Sequence, residues 1–217
     1  MRKIYFLLNI IGFIFCSCVQ KVEFNKELAT ELKKMAEVDQ IAAYIPQGKY
    51  LELSQDQWNN FKDSVFTSNK IRLKEIFKEF GYPGFDLVGK AGEQDFWVMV
   101  QHCDKDSEFQ KQILKELKKQ VDKKNADVHN FCLLSDRVNI NLGKKQIYGT
   151  QVTYNSLGQA TPINLDDSIN VNLRRVNVGV EPLEEYLNML TSMHFDMNKQ
   201  SMIDDGIKEP NLYKIKK

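Results

Sequence analysis

The sequence predicts a mainly α-helical single domain carrying one β-hairpin, α+β by a strict count. Three observations carry that prediction. Apolar residues recur at three- and four-residue steps from about residue 25 to about residue 139. The period then switches to two over residues 146–165, on either side of the turn signal Asn155-Ser156-Leu157-Gly158. The hydrophobic share of 42% and the aromatic share of 11% are those of a globular chain.

The first helix is expected over residues 25–44. Leu28, Leu32, Met35, Ala36, Asp39, Ala42 and Ala43 share its spacing, and Pro46 and Gly48 end it. Ser54-Gln55-Asp56-Gln57 is a capping box that opens a long helical stretch to Phe80, with a possible break at Thr67-Ser68-Asn69. Gly81-Tyr82-Pro83-Gly84 begins a loop that the glycines extend to about Gly92. A buried helix follows over residues 93–103. Ser107-Glu108-Phe109-Gln110 reads as a second capping box, for a helix to about residue 123, and another helix covers residues 126–139.

Residues 146–154 and 159–165 then alternate as two strands, with Pro162 confining the second to an edge. Short helices are expected over residues 168–177 and 182–193, with Gly179 after the first and Pro182 in the first turn of the second. The lysine-rich tail of residues 196–217 reads as loose.

The N-terminus has a different character. Met1-Arg2-Lys3 is basic, residues 4–15 are apolar except for Asn9, and Phe15-Cys16-Ser17-Cys18 precedes the polar Gln20-Lys21. An apolar run of about 12 residues fits a signal-peptide core and falls short of the roughly 20 needed to span a bilayer. A small residue before cysteine is the lipoprotein-processing pattern. Residues 1–17 are therefore expected to be a signal peptide, Cys18 the lipidated N-terminus, residues 18–24 a tether and residues 25–195 the domain. The implied location is a bacterial envelope, with the lipid on Cys18 holding the chain to a membrane. Val19, rather than an aspartate, follows Cys18, which leans toward an outer membrane where a cell has two.

Charge excludes one class of partner. The full chain carries 30 basic and 29 acidic residues. Removing residues 1–17 takes Arg2 and Lys3 and leaves 28 against 29. Such a balance gives no general attraction to nucleic acid. No Walker-type loop, dinucleotide fingerprint or Gly-x-Ser-x-Gly elbow is present. With only His102, His129 and His194, and no paired-ligand spacing, a metal site is not expected, nor is a cofactor. Cys103 and Cys132 read either as two buried free thiols or as a disulfide between neighbouring helices.

Five places carry more polar groups than solubility requires. They are Asp39-Gln40, Gln101-His102-Cys103-Asp104, Asp136-Arg137, the strand Gln146-x-Tyr148-Gly149-Thr150-Gln151, and Arg174-Arg175. His102 shares a helix face with Asp95, Val98 and Met99. Asp104 could curl back and orient its ring, as a carboxylate does in general acid–base sites. The alternative is a hydrogen-bonded packing histidine. Asp136 and Arg137 diverge by about 100° on a helix, so each needs its own partner. Arg174 and Arg175 can pin segments or offer a planar fork to an anionic ligand. Gln146, Tyr148 and Thr150 share a strand face that can be a ligand surface or a solvated one. The candidate site is therefore His102, Asp104 and Asp136 as catalytic groups, with Arg137, Gln146, Tyr148, Gln151 and Arg174 around a small ligand. Such parts fit a hydrolase or lyase. The rival class is a non-catalytic binding or scaffold protein that uses the same residues structurally.

Taken in order, Gly81-Tyr82-Pro83, Val88-Gly89, Gln101-His102-x-Asp104, Phe109-Gln110, Asp136-Arg137-Val138, Gln146-x-Tyr148-Gly149-Thr150-Gln151 and Arg174-Arg175-x-x-x-Gly179 resemble a bacterial family catalogued as a domain of unknown function. The resemblance covers about residues 28–190. It implies that these polar residues form one shared site, and it implies no particular reaction. Family members occur as lipoproteins, secreted proteins and cytosolic proteins. The family often has Trp-Pro where Tyr82-Pro83 stands, and alanine where Cys103 stands, which argues against Cys103 as a nucleophile.

Overall fold

A computed structural model describes residues 22–215. The expected signal peptide, Cys18 and most of the expected tether lie outside the described residues. Within them the chain forms eight α-helices and one two-stranded antiparallel hairpin. The helices are α1 (Lys26–Ala43), α2 (Gln55–Phe80), α3 (Phe85–Gln101), α4 (Ser107–Asp122), α5 (Val128–Asn141), α6 (Val171–Val178), α7 (Leu183–Met197) and α8 (Lys199–Asp204), with a 3-10 turn at Gly48–Glu52. The strands are β1 (Val152–Tyr154) and β2 (Ala160–Pro162), with Thr153 opposite Thr161.

One main core holds the first five helices together. Leu28, Leu32 and Ala36 of α1 meet Leu73 and Ile76 of α2 and Phe96, Met99 and Val100 of α3. Ile113 and Leu117 of α4 and Leu134 and Val138 of α5 continue the same cluster. Each fully buried side chain of this size contributes about 1.5–3 kcal/mol. A smaller cluster of Ala160, Val171, Leu183 and Leu187 packs the hairpin against α6 and α7.

Most helix boundaries follow the capping chemistry. Asn25 caps α1, and Ser54 with Gln57 forms the complete capping box of α2. Four expectations are corrected. First, α2 is continuous through Thr67-Ser68-Asn69, because Asn69 turns inward, where its amide is satisfied by Asp39. Second, the loop expected from Gly81 to about Gly92 ends at Gly84, and α3 begins at Phe85, with a single kink at Gly89 (φ 73°). That left-handed backbone favours glycine, and the Phe24 ring packs beside it. Third, the cap of α4 is the Asp106 carboxylate, which accepts from Phe109 N, and not Ser107. Fourth, the tail is anchored. Met202 of α8 is buried, and Tyr213 donates to the Ala160 carbonyl while pairing with Asn188.

Candidate functional site

The segment Gln146–Gln151 is no ligand-facing strand. The hairpin contains only residues 152–154 and 160–162, and Gln146, Tyr148 and Thr150 are all buried. Their alternation has another cause. Asp136, fully buried on α5, accepts from the backbone N–H of Ile147, Tyr148 and Thr150 and from the Thr150 hydroxyl, at 2.7–3.2 Å. Gln146 then closes the segment. Its amide donates to the carbonyls of Gln151 and Ile163 and accepts from Gln151 N. Gln151 donates to the Leu133 carbonyl at 3.4 Å. Gly149 has φ 75°, and a Cβ there would stand 3.0 Å from Leu183. The close approach is therefore protein against protein.

The arginines are also structural. Arg174 donates to the carbonyls of Ile147, Asp166 and Asp167. Arg175, 1% exposed, reaches the carbonyls of Tyr148 and Glu181. Tyr148 packs edge-on against Phe131, and burial pushes its phenol up to about 12. Asp136, Gln146, Tyr148, Gln151 and Arg174 thus form a buried bracket that fixes the chain between α5 and β1, and the expectation of one site shared with His102 is corrected.

Asp104 does not orient His102 either. It faces Arg137, which donates to both its oxygens at 2.8 and 2.5 Å, and it accepts from Asn141 and Gln110. Burial raises the Asp104 carboxyl, but Arg137 and the two amides outweigh it and hold the group below its ordinary value. The pair ties the α3–α4 turn to α5.

The His102 partner is Asp39. His102 caps the C-terminal end of α3, and its Nδ1 stands 2.6 Å from Asp39 Oδ2. Asp39 is fully buried on α1, and its carboxylate also accepts from Asn69 of α2 at 3.0 Å and from Gln40 at 3.2 Å. An ionised carboxylate can only accept, so Nδ1 is the donor of this bond and Nε2 is the nitrogen left outside it. Among the described residues Nε2 has no hydrogen-bond partner. The Phe66 ring lies 4.9 Å from the imidazole, tilted by 41°. Beside it is a cleft of about 210 Å³, lined by residues of α2 (Asp63, Phe66, Thr67, Lys70) and of the turn after α3 (His102, Cys103, Asp104, Lys105). Arg137, Asp136, Tyr148, Gln146, Gln151 and Arg174 do not line it.

Asp39 is the His102 partner that the sequence-derived set lacks, although Asp39-Gln40 stands out in the sequence. Its signal was its position. A carboxylate at a core step of α1, in register with Leu28, Leu32 and Ala36, must find donors inside the fold. Phe66 and Lys70 gave no such signal, because only the packing of α2 across the end of α3 brings them to His102.

The thiols do not add chemistry here. Cys103 and Cys132 are free and buried, and burial pushes both up to about 12. Among the described residues, no group of three or more His, Cys, Asp or Glu is placed to hold a metal ion, and no helix is long and apolar enough to cross a membrane.

Fold and cleft together define an α-helical domain with a carboxylate-held histidine at one surface depression. The chain belongs to a family of unknown function (DUF6624), which matches residues 26–198. No curated protein and no solved structure matches it.

Proposed function

We propose that the domain binds a small ligand in the His102 cleft and that His102, held by Asp39, moves a proton to or from that ligand through Nε2. The 2.6 Å contact between Nδ1 and Asp39 at the edge of a cleft carries this reading. A buried carboxylate fixes the tautomer and the ring orientation, and a histidine so fixed suits general acid–base work. Phe66 packs its ring against one side of the imidazole. Hydrolysis and elimination are the reaction classes such a group serves.

Binding is the property to test first. The chain is screened against a small-metabolite library by ligand-observed NMR, and hits are repeated with His102→Gln and Arg174→Gln. The reading expects binding that His102→Gln abolishes and Arg174→Gln leaves intact. Hits indifferent to His102, or a screen with none, contradict it.

A second reading has its own support. Asp39 sits where α1, α2 and α3 meet and takes donors from α1, α2 and α3. The pair would then be a structural tie in a non-catalytic scaffold.

For location, the proposal is a lipid anchor at Cys18. From Cys18 to Asn25 is roughly seven peptide steps, at most about 25 Å extended. Asn25 is fixed by its N–H to Leu87 O at 2.7 Å. Asp39 lies 13 residues beyond Lys26 on α1, about 20 Å along the helix. The cleft is thereby displayed at the end of α1 away from the anchor. Cys18→Ser should move the protein from the membrane fraction to the soluble one; retention in the membrane fraction contradicts the anchor.

A further inference from the structure

We infer that the ligand of the His102 cleft carries an oxyanion, a carboxylate or phosphate group, seated by Lys70 with Lys105. The inference rests on the reading of the cleft as the ligand site, and it names the ligand's chemistry.

The cleft's charges are unevenly committed. Asp104 is neutralised by Arg137 through two hydrogen bonds. One turn beyond Lys70 on α2, Lys74 is held by Asp106 at 2.5 Å. Lys70 itself is only partly exposed, and among the described residues neither it nor Lys105 has a carboxylate in ion-pair range. Asp63 is the remaining carboxylate of the lining, and it lies seven residues before Lys70, about 10 Å along α2. The cleft is thus lined by two lysines outside ion pairs, Lys70 and Lys105, and by the Asp63 carboxylate.

Thr67 and Lys70 are three residues apart and so share a helix face. Thr67 and Lys70 both line the cleft, and Lys105 lines it from the turn after α3. Ammonium and hydroxyl donors suit an oxyanion, and the charge-assisted bonds the ammonium forms are the strong kind. A cleft of about 210 Å³ admits inorganic phosphate or a short carboxylate. Anchored at the lysines, the ligand's remainder lies against His102.

The purified full chain is titrated with sodium phosphate and with sodium acetate at constant ionic strength. Glycerol serves as the neutral comparator and methylammonium as the cationic one. The readout is the imidazole carbon-bound proton resonance of His102, assigned by its absence in His102→Gln. The expected result is a saturable shift with phosphate or acetate, weakened about tenfold by Lys70→Gln and unchanged by Lys123→Gln, which lies outside this cleft. A shift with glycerol or methylammonium and none with either anion overturns the inference and leaves the acid–base site standing. An anion response indifferent to both Lys70→Gln and Lys105→Gln overturns it as well, as does silence with every probe. Failure of the site itself would show differently, as a His102 side chain chemically inert in the folded chain.

Discussion

His102 and Asp39 are 63 residues apart in the chain, yet their side chains meet at 2.6 Å, an imidazole on the edge of a cleft against a carboxylate with no exposure at all. The asymmetry of the pair matters. Asp39 cannot be served by water, so it depends on His102, Asn69 and Gln40 for every bond it makes.

That dependence predicts the behaviour of His102→Ala. The variant leaves Asp39 buried with one donor fewer, which costs about 1–3 kcal/mol. A lowered urea midpoint is therefore expected whether the pair is catalytic or structural, and stability alone does not separate the two readings. An unchanged midpoint would show that Asp39 does not rely on the imidazole.

Asp136 is predicted to be far more sensitive. Asp136→Ala strips three backbone N–H groups and one hydroxyl of their acceptor inside the protein. The expected loss is about 3–5 kcal/mol, near the upper end for a single substitution. Urea denaturation measures it. A loss below about 1 kcal/mol would mean that the segment finds other acceptors.

The amide nitrogen of Gln101 is buried with no partner among the described residues. Replacing it with an apolar side chain of similar length removes an unmet donor. Gln101→Leu is expected to raise stability by about 1 kcal/mol in thermal melts. A destabilised variant would indicate a partner for this amide in solution.

Glu93 gives the fold a pH dependence with a definite sign. The carboxyl is 1% exposed and held by Tyr82 at 2.5 Å and by Asn130. Burial raises it above its ordinary 4.5, against the opposing pull of those donors. A carboxyl raised in the folded state contributes stability below about pH 4.5, and that contribution is lost as pH rises through the folded value. Glu93→Gln cannot ionise, so its stability relative to the parent should improve steadily over that rise. Denaturant midpoints from pH 4 to 8 report the difference, and a constant gap would contradict it.

Much of the helical fold was legible in the sequence. Leu28, Leu32 and Ala36 carry the period of α1, and Ser54 with Gln57 announces α2, because caps and apolar spacing are local properties. The alternation of Gln146, Tyr148 and Thr150 was legible too, but its meaning was not. Side chains that bond buried backbone leave the same pattern as a strand with one wet face. Glycines mislead for a related reason: Gly84, Gly89 and Gly92 look like a loop, yet Gly84 is the extended N-cap of α3 and inside the helix only Gly89 departs from helical geometry. In the site, His102 was found and its partner was misassigned. Asp104 is near in sequence, but Arg137 claims it, while Asp39 arrives from another helix.

The most direct measurement is the reactivity of His102 toward diethyl pyrocarbonate, mapped by mass spectrometry beside His129 and His194. The reagent attacks an unprotonated, accessible imidazole nitrogen. With Nδ1 committed to Asp39, Nε2 should react readily, and Asp39→Asn should slow the reaction at His102 without altering it at His194. A folded chain in which His102 stays unmodified while His129 and His194 react would contradict the assignment of His102 as the working group of the cleft.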